Sequence, residues 1–175
     1  MSFRTAPPAQ LYTGDKQALF TAELRTAIEN EIAKYPAERK QSAVMASLTL
    51  VQDANGGCLT IALMDQVAAY LDMPPIAVYE VASFYGMYDL EPVGRHKVCV
   101  CNSISCLLNG SDELLTHIEH KYGVAAGGTT SDGKVTFKEF ECLGACKDAP
   151  VVLIDKTYHE RLTPAALDQL IDELD

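Results

Sequence analysis

The sequence predicts an α+β chain: an N-terminal helical bundle followed by an α/β part with helices against a small mixed sheet. Three observations predict it. Apolar residues recur at helical spacing through residues 15–90. Beyond "EPVGR", 91–95, short alternating or wholly apolar runs read as strands. One amphipathic stretch separates the first two of those strands, and another closes the chain.

Each element has its own signal. Residues 1–14 read as an irregular arm, because "APPAQ" resists both helix and sheet. A first helix is expected from about Lys16 to Lys34, where Phe20, Leu24, Ile28 and Ile32 recur every fourth residue and Pro36 follows. A second covers Gln41 to Asp53, with Val44, Leu48 and Val51 on one face and "NGG" after it. A third runs from Ile61 to Leu71, with Thr60 as N-cap and Met64, Val67, Ala68 and Leu71 inward. A fourth starts at Pro75, a residue suited to a first helical position, and continues to Tyr88 through Val78, Val81, Ala82 and Tyr85. After the linker 91–95, "HKVCVC" alternates as a strand, and Ser111 to Tyr122 reads as a helix that Gly123 ends. "KVTFKEFE" is a second strand and "VVLI" a third, buried one. "DK" turns it towards "TYHER", a candidate antiparallel return. Thr163 and Pro164 open a last helix, with Leu167, Leu170, Ile171 and Leu174 inward. The resulting order, β-α-β-β-β-α over 96–175, is that of a thioredoxin-like layer.

Bulk properties exclude several function classes. The 175 residues suffice for one large domain or two small ones, and 48% hydrophobic with 22% charged residues is ordinary for a globular chain. A net charge of −10 argues against nucleic acid and acidic membrane surfaces as partners. The third and fourth helices look like a helix-turn-helix, but Gln41 to Gly94 contains no Lys or Arg to meet phosphates. The N-terminal "MSFRTAPPAQLYTGDKQ" has neither an apolar core nor an Arg/Ser-rich amphipathic pattern, so no secretory signal or transit peptide is expected. No apolar run approaches the ~18–20 residues of a spanning helix. The expectation is a cytoplasmic chain with no direct membrane insertion. In such a reducing compartment, clustered cysteines point to metal or redox chemistry rather than structural disulfides.

Five of the 6 cysteines lie in two stretches, "VCVCNSISC" and "ECLGACKDAP". Cys101 and Cys106 are spaced C-x4-C, and Cys142 and Cys146 are spaced C-x3-C. Each pair straddles a loop after an expected strand, and in a thioredoxin-like layer the two loops can meet at one edge. Four converging thiolates suit a [2Fe–2S] cluster, a [4Fe–4S] cluster or a tetrahedral zinc. The spacings are looser than the C-x2-C knuckles usual for structural zinc. They favour a two-iron rhomb, which spreads its ligands over two metals, and leave zinc open. Neither pair is the C-x-x-C of a dithiol catalyst. Gly110 and Gly144 would let backbone N–H groups approach sulfur, and Lys147 would offset cluster charge. The helix from Ser111 is expected to point its positive end back at the Cys106 loop. Cys99 and Cys58 read as packing residues, and His96, His117, His120 and His159 as surface or core side chains.

These residues carry a family resemblance. "QVAAYLDMPPIAVYEVASFYGMYDLEPVGRHKVCVCNSISC", "GSDELL" and "ECLGACKDAPVVLID" resemble the thioredoxin-like [2Fe–2S] subunits of NADH–quinone oxidoreductase, respiratory complex I, from about residue 16 to the end. The resemblance puts the family's four ligands on Cys101, Cys106, Cys142 and Cys146, and it implies a helical bundle before the cluster domain. It departs at Cys58, where an aromatic residue is common, and at Cys99, which is outside the family's ligand set. It implies a translocase subunit that transfers single electrons and has no catalytic residue of its own. FMN and NADH would sit on a neighbouring flavoprotein subunit, with other peripheral-arm subunits as further partners. Related subunits serve NAD-linked hydrogenases and formate dehydrogenases. The chain has no G-x-G-x-x-G and no P-loop, so it is not expected to oxidise NADH alone.

Overall fold

A computed structural model describes residues 20–175. The arm expected over 1–14 and the first turn expected from Lys16 lie outside them. The chain divides into two compact units, one ending at Pro92 and the other starting at Val93.

The first unit is helical. Helix α1, Ala22–Ile32, starts where the Thr21 hydroxyl accepts from the Leu24 N–H at 3.2 Å. A 3-10 segment, Ala37–Ala43, leads into α2, Val44–Ala54, so the second helix begins three residues later than its periodicity suggests. Helix α3, Ile61–Tyr70, is capped by Thr60, whose hydroxyl accepts from Leu63 N–H at 3.3 Å. Helix α4, Pro75–Phe84, has proline in its first turn. The repeating apolar positions form one core: Ile28, Leu48, Val51, Met64, Val67, Ala68, Leu71, Val78 and Ala82 are buried together. Such burial is worth about 1.5–3 kcal/mol for each large side chain.

Helix α4 stops at Phe84 rather than at Tyr88. Tyr85 turns extended, with ψ at 119°. The following strap is tied to α2 instead: the Gln52 amide donates to Met87 O at 3.1 Å and accepts from Asp89 N–H at 2.8 Å. The Tyr88 hydroxyl donates to Met45 O at 2.8 Å. Buried Tyr88 thus packs as a side chain of the strap and not as a helical residue.

The second unit is a four-stranded mixed sheet in the order β2-β1-β3-β4. Strand β1 is His96–Cys101, β2 is Val135–Phe140, β3 is Val151–Ile154 and β4 is Thr157–Glu160. Strands β1 and β2 run parallel, while β1–β3 and β3–β4 run antiparallel. Two helices, not the expected one, connect β1 to β2: α5, Ile104–Leu108, and α6, Ser111–Tyr122. A five-residue helix is too short to show an apolar period. Helix α7, Pro164–Glu173, follows its Thr163 cap. Val98, Val100, Phe137, Val152 and Ile154 face Leu114 and Ile118 of α6 and Leu167 and Ile171 of α7 in one core.

Candidate metal centre

Strand direction brings the two cysteine stretches to the same end of the sheet. Because β1 and β2 are parallel, with Cys101 opposite Phe140, both strands finish there. Because β3 is antiparallel to β1, its first residue, Val151, starts there too. Cys101 is the last residue of β1, and Cys106 follows inside α5. Cys142 comes two residues after β2, and Cys146 opens a 3-10 turn, Cys146–Asp148, that leads through a cis Ala149–Pro150 bond into β3.

The two pairs differ in environment. Cys101 and Cys106 are buried, in one cluster with Leu143 and Val151, whereas Cys142 and Cys146 are exposed. Burial pushes the Cys101 thiol up, but hydrogen bonding with the Ser103 hydroxyl and with the backbone N–H groups of Ser103 and Leu143 outweighs it and holds the thiol below its usual range. The Cys106 thiol is raised, by burial and by the Cys101 sulfur beside it, with the Val151 N–H and the Ser103 hydroxyl opposing only in part.

The loop from Glu141 to Pro150 is braced from β4. The Tyr158 hydroxyl donates to Leu143 O at 3.0 Å, between the two exposed cysteines. Arg161 pairs with Asp148, and its backbone N–H donates to Asp148 O at 2.9 Å. The Gly144 N–H donates to the Cys142 sulfur at 3.4 Å. Gly144 has φ of +75° with open space around an added Cβ, so the turn needs glycine for its left-handed backbone rather than for room. Gly110 does not serve sulfur: its N–H donates to Leu107 O at 3.2 Å.

Cys99 is buried in β1 on the face that also carries Cys101, with Lys138 and Leu153 opposite on the flanking strands. Cys58 is half-buried in the helical unit, with the Asn55 amide 3.6 Å from its sulfur. His96 lies at the other end of β1 from Cys101, its ring bridging Asp155 at 2.8 Å and Asp175 at 2.9 Å. Among the described residues no three His, Cys, Asp or Glu side chains gather where they could hold a metal ion. The chemistry of the donor set fits a cluster built on two irons: four thiols in two pairs at one end of one sheet, with the Gly144 N–H directed at the Cys142 sulfur and the Ser103 hydroxyl beside the Cys101 sulfur. Ser103 and Tyr158 are the residues that sequence reading missed. A hydroxyl two positions after a strand-end cysteine is a usable signal for the first. The second contact spans the loop and leaves no local trace.

Comparison with known proteins agrees in kind. The model for the thioredoxin-like [2Fe–2S] ferredoxin family matches residues 28–175. A protein of Rickettsia felis, named as one of the subunits of NADH-quinone oxidoreductase, is 43% identical over 162 residues, covering 93% of each chain. A Dictyostelium discoideum protein named NADH dehydrogenase [ubiquinone] flavoprotein 2, mitochondrial, is 40% identical over 155 residues, 89% of this chain and 63% of that one. A crystal structure of NAD+-reducing [NiFe]-hydrogenase shares the fold, with a TM-score of 0.61 and 23% identity over 72% of this chain and 21% of that one.

Proposed function

The chain belongs to the thioredoxin-like [2Fe–2S] ferredoxin family, and from that premise we propose that it is the cluster-carrying, electron-transferring subunit of an NADH–quinone oxidoreductase. The observation that carries the reading is the meeting of both cysteine stretches at one end of the sheet, where β1 and β2 finish and β3 begins. Cys101, Cys106, Cys142 and Cys146 would hold the cluster as thiolates. When bound, a [2Fe–2S] cluster supplies a one-electron redox site. The chain's own part is to fix the four sulfurs, to shield two of them from water and to donate hydrogen bonds to them. Its acidic character, −10 overall, disfavours adding an electron nearby and suits a low potential.

The electron partner in this reading is FMN on a neighbouring NADH-binding subunit. Exposed Ile104, Leu107 and Leu108 flank buried Cys106 on α5 and give an apolar surface for a protein partner. The domains of the proposal are the arm 1–14, the bundle 15–90, the linker 91–95 and the cluster domain 96–175. The assembly would lie on the cytoplasmic side as part of a peripheral arm; among the described residues no helix is long and apolar enough to cross a membrane. An equivalent role in an NAD-linked hydrogenase, a structure of which shares the fold, or in a formate dehydrogenase is the second reading.

The test is composition. The full chain, purified without oxygen from iron-replete cells, is expected to be red-brown, to bleach with dithionite and to hold equal iron and acid-labile sulfide. A colourless protein with stoichiometric zinc would replace the proposal with a zinc-stapled interaction module.

A further inference from the structure

Ser103 occupies the N-cap position of α5, where a serine hydroxyl ordinarily accepts from a backbone N–H of the first turn. Here it makes no capping bond. Its oxygen lies 3.3 Å from the Cys101 sulfur instead, in the orientation of a thiol donating to the hydroxyl. A hydroxyl is both donor and acceptor and rotates to suit its neighbour. A sulfur bound to iron has no proton, so the same contact must reverse, with Ser103 donating to sulfur. Cys101 is buried, and there a hydrogen bond to charge is stronger than in water. Ser103 itself is half-buried, which restricts competition from solvent.

We infer that Ser103 is a positioning residue that raises the reduction potential of the cluster through its hydroxyl hydrogen bond to the Cys101 sulfur. The inference rests on the cluster reading above. Reduction adds negative charge that is shared with the thiolates. A donated hydrogen bond stabilises the reduced state more than the oxidised one.

The experiment is a redox titration, followed by electron paramagnetic resonance, of the full chain and its Ser103→Ala, Ser103→Gly and Ser103→Thr variants. Ser103→Ala and Ser103→Gly are expected to keep equal iron and sulfide but to shift to lower potential. The reduced-to-oxidised ratio at a fixed potential should fall roughly fivefold, the effect of one net hydrogen bond. Ser103→Thr, which keeps the hydroxyl, is expected to titrate as the parent does. Because the hydroxyl caps nothing, the helical circular dichroism of the deletion variants should be unchanged. Clusters of unchanged potential in both deletion variants overturn the inference and leave the cluster reading standing. A parent chain that takes up no iron and sulfide overturns both.

Discussion

Cys99 and Cys101 are chemically identical, equally buried and two residues apart on one strand face. What separates them is the strand's end. Cys101 stands where the β1 backbone turns into α5, beside Cys106, Leu143 and Val151, while Cys99 lies inside the ladder with strands on both sides. Cys99→Ala is expected to retain the cluster, at a stability cost of about 1 kcal/mol for a small buried side chain. Cys101→Ala is expected to lose or remodel it. Iron and sulfide analysis together with the visible spectrum decides the matter, and the reverse pattern would move the ligand register by two residues. This distinction was legible in the sequence only through spacing. The Ser103 contact was not read there, because the direction of a hydroxyl depends on a side-chain rotation that a string of letters does not record.

At the scale of elements, α6 and α7 are clasped by one carboxylate. Asp168 of α7 accepts from the His117 ring at 2.9 Å and the Tyr122 hydroxyl at 2.8 Å, and pairs with Lys121 at 2.8 Å. Burial alone would raise its pKa, but the hydrogen bonds from Lys121, His117 and Tyr122 reverse this and bring it down to about 2. The sign follows from linkage. The folded state holds the ionised form more firmly than the unfolded chain, whose ordinary value is 3.8, so the clasp is fully stabilising above that pH and is lost as pH falls towards about 2. Asp168→Asn is expected to lower stability near neutral pH by about 1–3 kcal/mol. It should also flatten the loss that the parent shows over that acid window, as measured by denaturant unfolding at a series of pH values. The helices themselves were legible from their periodicity, and the Thr60 and Thr163 caps stand where their patterns start, whereas α1 begins only after its Thr21 cap and leaves Phe20, expected within the helix, outside it. The clasp was not, because its members are separated by 46 to 51 positions and only packing makes them neighbours.

On the scale of the whole molecule, the chain has two compact units, and the cysteine pairs lie in the second. The chain carries neither Gly-rich phosphate loop nor dinucleotide fingerprint. The purified chain is therefore expected to show no NADH oxidation with an artificial electron acceptor until the flavin-bearing subunit of the proposed function is added. Robust turnover by the chain alone would overturn the division of labour. The sequence by itself determined the element order, the α+β class and the spacing of the thiols, because these depend on neighbours within a turn of helix or a stretch of strand. Tertiary structure alone decided that β1 lies between β2 and β3, parallel to one and antiparallel to the other. That arrangement is selected by burying the apolar faces of α6 and α7 against one side of the sheet, a non-local condition, and through it the two cysteine loops come to a common end.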